Sequence, residues 1–365
     1  MNFRDLAIVV PLLLLVSACT KSPPPLTRQE KQTVTELTAN LKPRCVGRYV
    51  IDVPDDALSA GWATLQGVTF DATPMTREKF EQGMAAHDAE LKATRSRDGY
   101  QFVYDQGEVH GVPNSRYFVT LGNRNADSDL GRVIEAYKWD AGYQIKLRIE
   151  ATDSIHSEFE KKMKGTPYEA KDWKVNDVPE KTSLVLSLIQ KVQGRADDAI
   201  PTEPGVCFQG GFLPRKAASG EKVSVLLALK DRTDVSFMLE TNTDLRELPK
   251  DTLLNRLPEI RSEIKDSNTN GHIIRSGAVE VGGIKAEEAL MSATTAARIP
   301  GHIFTLQANT ATSGAMTPYL VLDMKNGSFN SFTGNVIPKA SLTEGEAISL
   351  WDIVSRTLRP RPNGF

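Results

Sequence analysis

A lipidation-type thiol, two further thiols, a few imidazoles and scattered carboxylates are the groups in this chain able to do covalent or acid–base chemistry. The cysteines are Cys19, Cys45 and Cys207. Cys19 closes Val16-Ser17-Ala18-Cys19, where small residues precede the thiol. That pattern fits a lipoprotein signal-peptidase site, at which the thiol takes a diacylglycerol and the new amino terminus is acylated. The plainer alternative is a soluble secretory signal with an incidental cysteine, and the polar Thr20-Lys21-Ser22 that follows favours lipidation. Upstream, Leu6 to Val16 form an apolar run of about eleven residues with Arg4 on its flank. Such a run suits a signal segment and is too short for a bilayer span of ~20 residues. Each buried acyl CH₂ contributes ~0.8 kcal/mol, so several chains anchor firmly. Thr20 stands where an Asp would favour retention in the inner membrane. The expectation is therefore a periplasmic protein anchored to the outer membrane of a Gram-negative cell.

Cys45 and Cys207 remain in the mature chain. In an oxidising periplasm two such thiols often pair, here closing a loop of about 160 residues. The other reading is two separately buried thiols, each a small hydrophobe. A bond needs Cα atoms within ~7 Å, which sequence separation does not decide; the compartment tips the reading toward the bond.

No constellation of catalytic type emerges. His87, His110, His156, His272 and His302 form no His-Glu-x-x-His pattern and no metal-ligand spacing. There is no Gly-x-Ser-x-Gly elbow. Gly210-Gly211 and Gly282-Gly283 lack the Lys-Ser/Thr of a phosphate loop. The polar run Asn123 to Asp129 lacks the Gly and distal Glu of a calcium loop. Carboxylate pairs such as Asp197-Asp198 and Glu287-Glu288 are commonplace. The reading is no catalytic residue, no metal, no cofactor and no small-molecule substrate. With 44 Lys+Arg against 46 Asp+Glu, the net charge of −2 argues against bulk nucleic-acid binding. The basic Arg356 to Arg361 segment reads as cations at a helix C-terminus followed by a proline stop.

The elements around these residues occur in two rounds. The first runs from a helix over Leu26–Leu41, with Thr27 and Glu30 at capping-box spacing, to a strand over Cys45–Pro54 and another over Ala63–Phe70. A helix over Met75–Thr94 carries Phe80, Met84, His87 and Leu91 on one face. Four strands near Tyr100–Val109, Ser115–Leu121, Arg132–Trp139 and Gln144–Glu150 and a helix over Glu180–Gln193 complete it. The second round opens at Cys207–Pro214. Strands follow at Val223–Leu229 and Val235–Thr241, then a helix over Leu248–Asp266 interrupted by Pro258. Strands at Gly271–Val281, Ala286–Ala293, His302–Asn309 and Tyr319–Lys325 lead to a helix over Thr343–Leu358.

Cys45 and Cys207 are 162 residues apart, as are Ser187-Leu188 and Ser349-Leu350, and Val192 and Val354. Glu108 to Val112 matches Glu280 to Ile284 at an offset of 172. The glycine before the apolar residue in that pair suggests a tight turn in which a side chain would clash. The pattern is a duplicated α+β domain of antiparallel sheet and packed helices. The divisions are a signal segment (1–18), a Pro-rich tether (19–28), an N-terminal domain (29–196), a linker (197–206) and a C-terminal domain (207–365).

The segment Cys45-Val-Gly-Arg-Tyr-Val-Ile-Asp-Val-Pro54, with Pro204-Gly205-Val206-Cys207 opening a second similar domain, resembles one family. These are the two-domain periplasmic immunity lipoproteins that neutralise antibacterial phospholipase effectors of type VI secretion, more narrowly those paired with the fourth lipase class. The resemblance implies two related α+β domains arranged like a claw around a cleft. It implies a cognate lipase as partner, inhibition by blocking access to its active site, and no catalysis. It transfers no contact residue. Trp139, Tyr143, Phe329 and Phe332 are candidates for an aromatic interface cluster that sequence does not sort from core, each read as core before interface; the Gly- and Ser-rich loop bearing Phe329 and Phe332 is the candidate contact loop. The alternative is a structural or envelope-assembly lipoprotein without a lipase partner.

Overall fold

A computed structural model describes residues 25–167, 173–266, 269–327 and 329–365. Cys19 and the signal segment lie outside the described residues. Helix α1 (Arg28–Thr38) begins where Thr27 and Glu30 form the expected capping box, each satisfying a backbone N–H that the helix leaves unpaired. Strands β1 (Leu41–Val46) and β2 (Tyr49–Pro54) follow, then β3 (Leu58–Leu65) and β4 (Val68–Pro74). Helix α2 (Arg77–Ala93) leads to β5 (Val103–Gly107), β6 (Ser115–Leu121), β7 (Gly131–Asp140) and β8 (Tyr143–Thr152). Short α3 (Glu158–Met163), α4 (Val178–Lys191) and β9 (Gln193–Gly194) complete the first half. The second half runs β10 (Gly205–Phe208), β11 (Gly211–Pro214), β12 (Glu221–Leu229), β13 (Arg232–Asn242) and α5 (Leu257–Asp266). It ends with β14 (His272–Val281), β15 (Ile284–Thr294), β16 (Pro300–Ala308), β17 (Tyr319–Asn326), α6 (Glu344–Ser355) and β18 (Arg359–Pro360).

Two stretches read as single strands are hairpins. Cys45–Pro54 turns at Gly47, whose φ of +57° favours glycine and whose absent Cβ would lie 2.5 Å from Thr241 Oγ1. Ala63–Phe70 turns at Gln66-Gly67, with φ of 55° and 80°, the backbone of a two-residue primed turn. Residues 44–50 are buried without alternation, so no period marks the first turn, whereas in the second the buried set Ala63, Leu65 slips by one residue to Val68, Phe70 across Gln66-Gly67. The helix expected over Leu248–Asp266 starts only at Leu257, with Pro258 in its first turn, where a missing N–H costs nothing.

A twelve-stranded antiparallel sheet runs through both halves in the order β14-β15-β16-β17-β13-β12-β3-β4-β8-β7-β6-β5. Its middle is the β3–β12 pair, from Glu221 opposite Leu65 to Ala228 opposite Leu58. Outward from that seam the two halves match strand for strand, β3 with β12 and β5 with β14 at the far edges. This is the duplication seen as topology. The turns at Gly111 and Gly283 are equivalent, but neither glycine is crowded; each is required by its left-handed φ of 74° or 79°.

One face of the sheet is sealed. Val223, Val225 and Leu227 of β12, Phe237 and Leu239 of β13, and Leu320 and Leu322 of β17 point into the core. Phe70, Ile145 and Leu147 do so from the first half. Helix α4 covers that face with Val185, Leu188 and Ile189, and α6 with Leu350, Trp351 and Val354. Burying one such side chain contributes about 1.5–3 kcal/mol.

The small strands are exchanged between halves. Hairpin β1–β2 is completed by β18, and hairpin β10–β11 by β9. Thus each half's opening hairpin pairs with the strand that closes the other half. Gly47 of the first hairpin abuts Thr241 of β13, and Gly210 of the second lies against Ala72 of β4 and Tyr143 of β8. The pairings Arg359–Val50 and Phe212–Gln193 make Gln193 equivalent to Arg359, so the closing strands stand at an offset of 166 where the hairpins stand at 162. The second copy therefore carries four more residues before its last strand, and they form the turn after α6 rather than more helix.

Candidate interaction surface

Strand alternation places every second residue of the sheet on the face away from α4 and α6. Across it runs a continuous row, Phe118–Glu135–Arg148–Thr69–Thr64–Lys222–Asn242–Tyr319, set by the registers of the intervening strands. Helix α2 covers one end of this face, packing Phe80 and Met84 on Phe118 and Tyr137. The α5 region covers the other, packing Leu253 and Leu257 on Ala289. Between them the strands β8, β4, β3, β12, β13 and β17 carry no covering helix among the described residues.

Trp62 stands near the centre of this open floor and is 41% exposed. Lys222 Nζ lies 4.8 Å from the centre of its indole ring, and 3.9 Å from Glu240 Oε1. Trp62, Thr64, Lys222, Asn242 and Leu245 border a shallow open depression of about 650 Å³. Ser224 pairs with Trp62 across the seam, and Leu226, Met238 and Asp323 follow in the next row. Burial pushes the Asp323 carboxyl upward, against the hydrogen bond it accepts from Thr305 Oγ1 at 2.7 Å. Toward α2, Lys146 Nζ is 2.7 Å from Glu135 Oε1. Burial alone would raise the Glu135 carboxyl. His87, Lys146 and the Tyr137 hydroxyl, which donates to it at 2.7 Å, outweigh that and bring it to about 2. The surface thus combines aromatic, Met and aliphatic groups with charges of both signs, a composition suited to a protein partner.

The residues singled out by sequence are dispersed. Cys45 and Cys207 are joined by a disulfide, with Cα atoms 5.7 Å apart, beneath the seam and between the exchanged hairpins. Trp139 lies under α2 and donates its Nε1–H to the Met75 carbonyl at 2.8 Å. Tyr143 packs against the main core beside Gly210. Phe329 bridges to Val336, and Phe332 is exposed on the same loop. That loop is held at the β12–β13 turn, where Ser331 N–H donates to the Thr233 carbonyl at 2.9 Å. His87 sits edge-on between Phe118 and Tyr137, at 5.2 and 5.7 Å. Among the described residues no three His, Cys, Asp or Glu side chains are grouped to hold a metal ion. No described helix is long and apolar enough to cross a membrane. Trp62 was missed because its strand was read as starting at Ala63. The available signal was the Gln66-Gly67 turn: with Ala63 and Leu65 on one face of the strand before it, Trp62 falls on the other.

Comparison with known proteins matches the two halves separately. The family described as Tle cognate immunity protein 4, N-terminal domain, matches residues 42–195. Its C-terminal domain matches residues 199–363. Among curated proteins none matches the chain in sequence. A solved structure titled as the Tle4–Tli4 complex contains a chain of similar fold, with TM-score 0.68, 17% identity and coverage of 89% of this chain and 99% of that one. The apo immunity protein TplEi of the type VI secretion system of Pseudomonas aeruginosa matches at TM-score 0.66 and 17% identity, covering 89% and 98%. TplEi complexed with an "L" peptide matches at 0.60 and 18%, covering 88% and 98%.

Proposed function

We infer the function from family: this chain belongs to the Tle cognate immunity protein 4 family, the two domain matches together spanning most of it. Its partner on this reading is a phospholipase effector delivered by type VI secretion, and its role is to bind and inhibit that effector. The solved relative is named in complex with Tle4, which supports an effector of that kind here. Inhibition works by covering the route to the lipase active site, and the chain performs no catalysis of its own. The open floor around Trp62 is the docking surface this reading favours, because it is the broad amphipathic face that α2 and α5 leave bare.

The encounter takes place in the periplasm, with the protein held at the outer membrane through lipid on Cys19. Two observations support that location: the lipobox-like Val16 to Cys19 and a buried disulfide, which suits an oxidising compartment. An inhibitor so placed protects the cell from its own or its kin's effector. The observation that carries the reading is the pair of domain matches. Its test is capture of binding partners on residues 20–365 from the native strain, with the lipase activity of what is captured. A single lipase recovered near one to one, and silent while bound, is the expected result. Recovery of envelope-assembly components without a lipase would replace it with the structural-lipoprotein reading.

A further inference from the structure

The exchanged hairpins have a consequence for how the molecule moves. Beyond β9 and β18, each closing segment buries an arginine. The Arg195 N–H donates to the Gly210 carbonyl, and the Arg361 N–H to the Arg48 carbonyl, in the equivalent hairpin turns. The Arg195 guanidinium then reaches the carbonyls of Ala196, Ala199 and Phe208 at 2.8, 2.8 and 3.1 Å. The Arg361 guanidinium reaches those of Pro201, Glu203 and Gly205 at 2.7, 2.8 and 2.7 Å. Arg48, in the first hairpin's turn, makes a buried ion pair at 2.7 Å with Glu221, which opens β12 of the other half. Phe208 of the second hairpin stacks edge-on with Phe70 of β4 at 5.5 Å. Backbone bonds of 2.8 Å run both ways between Gly47 and Cys207, tying the hairpins to each other.

We propose that this exchange makes the two halves one folding unit, so that neither half holds its native structure alone and the open floor is a rigid platform rather than the gap of a hinge. Opening the seam would require more than bending a linker. It would break the β3–β12 ladder, remove the third strand from both small sheets and strip the Arg195 guanidinium of the Phe208 carbonyl and the buried Arg48 guanidinium of the Lys216 and Gly364 carbonyls. Leaving such groups unpaired inside the protein is strongly unfavourable. The residues between Ala196 and Gly205 are therefore not a flexible joint, because their carbonyls are the ones Arg195 and Arg361 hold.

The test uses the full mature chain carrying Cys45→Ala and Cys207→Ala, with a protease site inserted after Thr202 and cut only after folding. The expected result is a cut protein that elutes as one particle at the intact mass and unfolds in one transition. Separation of the pieces in native buffer, or two transitions, would overturn the proposal. Should the insertion prevent folding, native-state hydrogen exchange on the uncut, unaltered chain decides. Amides of β4 and of β13 should then share one opening free energy and one denaturant slope. Two distinct slopes would show that the halves open separately and would overturn the proposal.

Discussion

The two faces of the central sheet share strands and backbone yet have opposite chemistry. On β12, Val223, Val225 and Leu227 are buried under the helices, while Lys222 and Leu226, on the opposite face with the buried Ser224, are part-exposed on the open floor. On β13, Phe237 and Leu239 are fully buried and Met238 and Glu240 are not. The sealed face has matched helices on both halves, α4 and α6. Among the described residues the other face has helices only toward its ends. A sheet buried on one side needs no second cover to be stable, so the bare centre is free to serve recognition. On the proposed function, stability then rests with the sealed face and the exchanged hairpins, and binding with the floor.

Substitutions on the stability side should affect folding most. Arg48→Ala removes the nearer cation from the buried Glu221, leaving Arg215 Nε at 3.5 Å as its remaining partner, and should cost about 3 kcal/mol, read as a lower midpoint in urea unfolding. A loss near zero would mean that the hairpin is not held where it is drawn. Removing the bond with Cys45→Ala and Cys207→Ala should cost about 2–4 kcal/mol, since it closes a long loop in the unfolded chain. Thermal unfolding of oxidised wild type against the double variant measures it. If the two melt together, the disulfide adds nothing to a seam the hairpins already hold.

Further out, effects should pass from folding to binding. Phe329→Ala with Phe332→Ala changes a loop rather than the core, so the melting temperature should shift little while effector affinity falls by about 1 kcal/mol. Calorimetric titration of the lipase checks this, and unchanged affinity in a normally folded variant removes the loop from the interface. The smallest effect concerns Glu135, at the α2 end of the floor. Its carboxyl titrates near 2 in the folded protein, below the ~4.3 of an unperturbed Glu. Its contribution is complete above pH ~4.3 and fades as the pH falls toward 2. Glu135→Gln should flatten the loss of stability between pH 5 and pH 2. An unaltered acid limb would show that the His87, Lys146 and Tyr137 contacts do not hold the charge.

Much of this arrangement was legible in the residues. Thr27 and Glu30 announce α1, and Thr343 with Glu346 caps α6 in the same way, because capping chemistry is local. Tyr117, Phe118, Val119 and Thr120 make Ser115–Leu121 rich enough in strand-forming residues to bound β6. The recurring order of elements disclosed the duplication, since each copy repeats the same short-range signals. What stayed hidden depends on partners far apart in the chain. Nothing in Arg359-Pro360 or Gln193-Gly194 says that each pairs with the other half's hairpin, for two-residue strands carry no period. Trp62 was overlooked for a related reason: whether an aromatic on an alternating strand is buried depends on which helices cover that face. The pairing of Cys45 with Cys207 likewise depends on the hairpins meeting, which only the fold supplies.

The most direct test of the account is a titration of the cognate lipase's phospholipid hydrolysis with wild-type protein and with Trp62→Asp. Trp62 is half-exposed in β3, so the substitution should lower stability by about 1 kcal/mol, the span of strand propensities, and leave the protein folded. It places a charge at the centre of the floor, where an interface loses most when truncated or desolvated. Wild type should silence the lipase at one equivalent, and Trp62→Asp should need at least about tenfold more, a loss of about 1.4 kcal/mol or greater. Equal inhibition by the folded variant would move the interface elsewhere on the molecule, and a lipase untouched by wild type would contradict the immunity reading itself.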